Sequence, residues 1–228
     1  MYKILKKKQI MKNVNDSIIK QLRRYTEENY AKYHIKTPCF KNGNKKTVEL
    51  IDKIMRFVRL LPEELGVIEK TVLMYQIITS TVTYDRDESN DDRYSYLEAL
   101  ENKKAVCMGI AELYCTLCTA CGAKSKIVIG YSTDSTKDDA YHAWVQVYLP
   151  DENNKFRWYM ADPTWDLIEF RNEWKYFMKS DSYFSNNGHY WLKSDYEGCE
   201  CDLGLVKLYP EHKLNRVVEI FRTIVCDE

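Results

Sequence analysis

Long apolar runs are missing from this chain of 228 residues. Nothing approaches the roughly 18 consecutive apolar residues that a membrane-crossing helix requires, so a spanning segment is not expected. The first dozen residues carry Lys3, Lys6, Lys7, Lys8 and Lys12 but lack the apolar stretch of a secretory leader, and the expected location is cytoplasmic. Net charge is also missing, because 34 Lys and Arg balance 34 Asp and Glu. Without a basic excess there is no electrostatic case for a nucleic-acid partner or an anionic membrane surface. Internal repeats, low-complexity linkers and EF-hand calcium loops are absent too, which removes solenoids and local calcium activation from consideration. What remains is the composition of a globular enzyme-sized domain, 45% hydrophobic with a mean hydropathy of -0.52.

Eight cysteines are present, and four of them, Cys107, Cys115, Cys118 and Cys121, fall in one helical segment. The last three step by three residues on a single helix and cannot surround a tetrahedral metal, so they are expected to pack in a core, with no metal or other cofactor bound. Cys199 and Cys201 are too close in sequence for an easy disulfide, and with Cys226 or Cys39 could bind a metal only if the fold gathered them. Reduced thiols in a reducing compartment are the simpler account.

Cys107 differs from the others by position. The segment from Ala105 runs through Cys107, Met108, Gly109 and Ile110 to Cys121 and stops at Gly122, which predicts a buried helix with Cys107 in its first turn. Unpaired N–H groups and the positive end of the helix dipole favour a thiolate there, and the backbone N–H of Cys107 can serve an oxyanion. A buried structural cysteine is the alternative. Ala140 to Leu149 alternates as a strand, with His142, Trp144 and Gln146 on one face and Ala143, Val145 and Val147 on the other. After a turn at 150–154, Phe156 to Met160 returns as a second strand. The resulting hairpin carries His142 on one arm and Asp162 at the end of the other. Of the four histidines, His34, His142, His189 and His212, only His142 is framed by a strand and a tryptophan. Thiol, imidazole and carboxylate are the parts of a nucleophilic triad: the imidazole supplies the cation and later the proton, and the carboxylate orients it.

These stretches resemble the bacterial transglutaminase-like superfamily. The likeness is carried by Val82 to Asp85, by Tyr96 to Ala111 around Cys107, by Gly130, by His142-Ala143-Trp144, and by Trp158 to Asp166. Tyr176 to Asp181 with downstream His189 is similar to that family's C-terminal segment. The resemblance implies a papain-like α+β fold, in which a helix bearing the cysteine packs on an antiparallel sheet bearing the other two groups. It also implies Cys107 as nucleophile, His142 as general base and acid, and Asp162 as orienting carboxylate. Relatives use an upstream polar or aromatic side chain as a second oxyanion donor, for which Tyr94 and Tyr96 are both candidates. Trp144 and Trp165 are expected to wall a substrate groove. Position 110 is Ile where relatives often carry Tyr, and position 145 is Val where many have Asn; neither departure touches the triad.

Residues 1–65 are expected to form a helical extension packed on a catalytic domain of residues 66–228. An apolar stripe of Val48, Ile51, Met55 and Val58 marks one helix, and Pro62-Glu63-Glu64 reads as the start of another that continues through Ile68, Val72 and Tyr75. Three functions stay in view. The chain is a thiol hydrolase or acyltransferase acting on protein or peptide amides through a thioester, with hydrolysis favoured over transamidation; or an inactive transglutaminase-like interaction module; or a metal-binding or structural helical protein, which would leave the alternation at 140–149 without a purpose.

Overall fold

The structure is a computed structural model, and it describes residues 45–87, 89, 91–134, 137–168, 174–204 and 210–226. Most of the predicted N-terminal extension, including Cys39, lies outside the described residues.

The first described helix, α1 (Lys45–Leu60), turns Leu50, Ile51, Ile54, Met55 and Phe57 inward at helical spacing. The next, α2, spans Val67–Thr81 and begins later than the Pro62 start expected from sequence. Pro62 instead opens a tight turn closed by Leu65 N–H to the Pro62 carbonyl (3.1 Å), and the extended backbone of Gly66 then caps the helix. Eight consecutive residues of α2, Thr71 to Ile78, are buried, so this helix is enclosed on every side rather than amphipathic.

A two-residue parallel pair follows, β1 (Thr83–Tyr84) with β2 (Lys104–Ala105), and between them lie a short 3-10 turn at Asp91–Tyr94 and α3 (Tyr96–Glu101). Helix α4 (Cys107–Ala120) starts two residues after this pair. Its side chains from Met108 to Cys118 are buried, and it ends as predicted at Gly122, whose φ of 91° is the left-handed conformation that reverses the chain.

Among the described residues the main sheet has four antiparallel strands in the order β5-β4-β3-β6: β3 (Lys124–Asp134), β4 (Lys137–Pro150), β5 (Phe156–Ala161) and β6 (His189–Trp191). The β4–β5 hairpin has the expected turn, and its register sets Val145 opposite Ala161 and Tyr148 opposite Trp158. Alternation along β4 divides two cores. Ala143, Val145, Val147 and Leu149 face the helical core with α1, α2 and α4, while Trp144 joins Val128, Met160, Tyr176 and Phe184 on the opposite side. That second face is closed by α6 (Asp181–Asn186), β6 and the following chain, with Gln146 donating to the Glu197 carbonyl at 2.6 Å. Between β5 and α6 sits the short α5 (Pro163–Ile168). Helix α7 (Glu211–Phe221) returns to α1, where Phe221 meets Phe57 edge to face at 5.0 Å. The described part of the N-terminal segment thus shares one core with α4. This is the papain-like α+β arrangement expected, with helix α4 on an antiparallel sheet that carries histidine and leads into aspartate.

Candidate active site

Asp162 follows the last residue of β5 and caps α5, with Pro163 in the first helical position. Its Oδ1 accepts the backbone N–H of Thr164 (2.9 Å) and of Trp165 (3.1 Å), and its own N–H donates to the Tyr176 carbonyl at 2.9 Å. The carboxylate is fully buried and its second oxygen faces the sheet. There Oδ2 lies 2.6 Å from His142 Nε2, joining two residues twenty positions apart through the hairpin. With Nε2 committed to Asp162, Nδ1 is the nitrogen left for a nucleophile, and the neighbour that interacts with the ring is the Cys107 thiol. Cys107 is the first residue of α4 and is half-buried, behind the extended Val106, which contributes no side-chain cap. The three residues expected to form the triad are therefore brought together.

Electrostatics follow from that geometry. Burial is the largest influence on His142 and opposes its charging, but the Asp162 carboxylate and the Cys107 thiol together outweigh it and push the imidazole up to about 10. Burial likewise opposes ionisation of Asp162, and two imidazoles overcome it, holding the carboxyl well below the usual carboxylate range. The pair is thus built as imidazolium and carboxylate.

The second imidazole is His189, whose Nε2 lies 2.9 Å from the same Asp162 Oδ2. In the sequence His189 falls in the family-like C-terminal segment, with no role of its own. The signal that could have found it is Gly130: β6 pairs with β3 so that Ser132 faces His189 and Gly130 faces Trp191, while Gly130 faces His142 on the other side. A Cβ at Gly130 would strike the Tyr190 carbonyl oxygen and the Trp144 ring, so only glycine lets β6 approach. By donor type His142, Asp162 and His189 could hold a cation. Their spacings of 2.6 and 2.9 Å are shorter than the roughly 3.3 Å between ligand atoms of a tetrahedral zinc site and are those of shared protons.

The wall residues separate. Trp165 is half-buried, with its ring 6.0 Å from His142, and remains available to a groove. Trp144 is fully buried, packs on the His142 ring at 5.8 Å and donates Nε1–H to Met160 Sδ, so it supports the histidine from behind and walls no groove, contrary to the sequence expectation. Its parity on β4 was legible, but the chain that covers that face comes from residues 176–199. Of the two tyrosines considered for an oxyanion, Tyr96 is buried, with its backbone N–H bound to Glu112 Oε2 at 3.0 Å, and Tyr94 is exposed beneath the Arg93 guanidinium. Tyr84, not considered from sequence, is half-buried; burial and then the Cys107 charge raise its phenol, which places it in the thiol's field. Gly109 keeps this end of α4 tight, since a Cβ there would press on the Ser95 and Arg93 carbonyls.

Beneath the site, Asp166 accepts the Tyr75 hydroxyl (2.5 Å) and the Tyr176 N–H (3.1 Å). Burial nevertheless pushes its carboxyl up to about 7. Cys115, Cys118 and Cys121 are buried in the helical core, as their spacing implied, and among the described residues no cysteine is in a disulfide. No described helix is long and apolar enough to cross a membrane.

Solved structures similar to this chain include two examples. One, described as a candidate cysteine protease from Cytophaga hutchinsonii, is 18% identical over 54% of this chain and 43% of its own, with a TM-score of 0.40. The other, described as a TGase, is 20% identical over 61% of this chain and 38% of its own, with a TM-score of 0.42. This chain therefore spans less than half the length of either. No curated protein matches it. Residues 56–163, from within α1 to the residue after Asp162, match the family model of the transglutaminase-like superfamily, and over that span the chain is similar to that family's core.

Proposed function

We propose that this protein is a cysteine hydrolase that cleaves amides of proteins or peptides through a thioester on Cys107. The observation that carries the reading is the His142–Asp162 hydrogen bond of 2.6 Å beside a cysteine at the start of a buried helix. In the first half-reaction the Cys107 sulfur attacks the amide carbonyl, the C–N bond breaks, and the proton held by His142 goes to the leaving amine. In the second, His142 takes a proton from water as the water oxygen attacks the thioester, the C–S bond breaks, and the carboxylic acid departs with the Cys107 thiolate and the His142 imidazolium restored. The Cys107 N–H and the neighbouring tyrosines are the donors available to the oxyanion. An amine in place of water would give transamidation. Hydrolysis is favoured because water needs no second binding site.

The test uses a peptide library with and without a primary amine such as hydroxylamine. Free acid products that disappear in a Cys107→Ala variant support the reading, and exclusive hydroxamate formation would convert it to a transferase. Absence of any acyl-enzyme with an amide-directed thiol probe would leave the fold as an interaction module.

A further inference from the structure

We propose that His189 is a positioning residue of this site, donating Nε2–H to Asp162 Oδ2 so that the carboxylate is locked in the plane His142 requires. The inference rests on the reading of Cys107, His142 and Asp162 as a triad.

An ionised carboxylate offers about four acceptor sites, and those of Asp162 are matched by four donors. Oδ1 takes Thr164 and Trp165 N–H, and Oδ2 takes the two imidazoles. With only His142 on Oδ2, the carboxylate could swing about its Cβ–Cγ bond. With a second donor on that oxygen it cannot turn without breaking a buried hydrogen bond. The geometry of His189 fits this role. Its ring is fully buried between Trp165 (4.4 Å) and Phe184 (4.5 Å), with Trp144 at 5.0 Å and Tyr176 at 5.2 Å. An imidazole buried among aromatics costs free energy unless its N–H is partnered.

Both ring nitrogens face oxygens, Nε2 the carboxylate and Nδ1 the Asn187 carbonyl at 3.1 Å. A neutral imidazole has one N–H to give, and the carboxylate is the stronger acceptor, so the proton sits on Nε2. The titratable groups facing the ring are Asp162, His142 and Tyr176. Burial first, and then the charge on His142, keep His189 below its ordinary range, although Asp162 pulls the other way. Two histidines on one oxygen are thereby given different duties: His142 carries charge and proton, and His189 stays neutral and holds the carboxylate.

The test compares His189→Gln, whose amide N–H can reach the place of Nε2–H, with His189→Phe, which keeps an aromatic ring and removes the donor. The probe is iodoacetamide alkylation of Cys107 followed across pH, together with nitrogen NMR of histidine-labelled wild-type protein. The Phe variant is expected to lose on the order of ten- to a hundred-fold in alkylation rate at neutral pH and to change the pH profile, as losses of outer hydrogen-bond partners do at other sites. The Gln variant is expected to stay within a few-fold of wild type, and NMR to show a neutral His189 protonated on Nε2. Wild-type profiles in both variants, or a proton on Nδ1 alone, would overturn the proposal. Should the Phe variant not fold, the Gln variant and the tautomer decide. A His142→Gln variant that leaves Cys107 alkylation unchanged would sink the triad reading instead, and the His189 tautomer would still decide this one.

Discussion

Cys107 and Cys201 give the sharpest comparison between single residues, because the first is half-buried beside an imidazolium and the second is exposed. Access alone predicts that Cys201 reacts first. The site geometry predicts the opposite, with Cys107 alkylated by iodoacetamide at neutral pH on the order of tenfold faster or more. Cys115 and Cys121 should stay unmodified in folded protein, since burial pushes both thiols up to about 12. Peptide mapping after brief labelling checks this, and faster modification of Cys201 would remove Cys107 from the nucleophile's role. Asp162→Asn tests the carboxylate. An amide has one oxygen for the two sets of donors that Asp162 now serves, so whichever way it turns an N–H group meets donors. Turnover of the folded variant is expected to fall by on the order of 10⁴, through loss of the imidazole's orientation, with a modest drop in melting temperature. Near-normal turnover would show that His142 needs no orienting partner.

At the scale of elements, the site depends on the seam between β3 and β6 as much as on the hairpin. Gly130 is its tightest point, since a Cβ there meets backbone of β6 that has no rotamer to change. Gly130→Ala is expected to destabilise by at least about 1–3 kcal/mol, the range for overpacking, and to slow Cys107 alkylation because β6 carries His189. A shifted urea midpoint together with the alkylation rate checks both. A variant that alkylates normally would show that the seam tolerates displacement. Helix α4, strands β4 and β5 and the Gly122 stop were all legible in sequence, because each has its own period or stop signal. The start of α2 was misplaced, because Pro62 suits a turn as well as a first helical position and Gly66 decided between them.

For the whole molecule, stability should decline through the alkaline range. His142 titrates near 6.5 when unfolded and about 10 when folded, so the native state holds the extra proton in that window and stability is lost as pH rises through it. Asp166, from 3.8 to about 7, and Glu112, from 4.5 to about 7, have the same sign at lower pH, both because burial disfavours their charge. Asp162 and His189 act oppositely: each is depressed in the fold, so their contributions are lost as pH falls below about 3.8 and 6.5. The melting temperature is therefore expected to fall by several degrees between pH 6.5 and 10, and His142→Gln to flatten that decline. A melting temperature that rises over this interval in wild-type protein would contradict the charged state assigned to His142.

By itself the sequence determined the helix that begins at Cys107, the alternation that separates His142 from Val145 and Val147, and the hairpin whose second arm ends at Asp162. These are local: each follows from backbone geometry, side-chain parity or capping within a few residues. Only the tertiary structure decided that Trp144 is a buried support, that Tyr84 lies in the field of the thiol, and that His189 shares an oxygen with His142. Those facts depend on which distant segment covers a given face, and a hydrogen bond across 27 positions from Asp162 to His189 leaves no periodic trace in the residues between them.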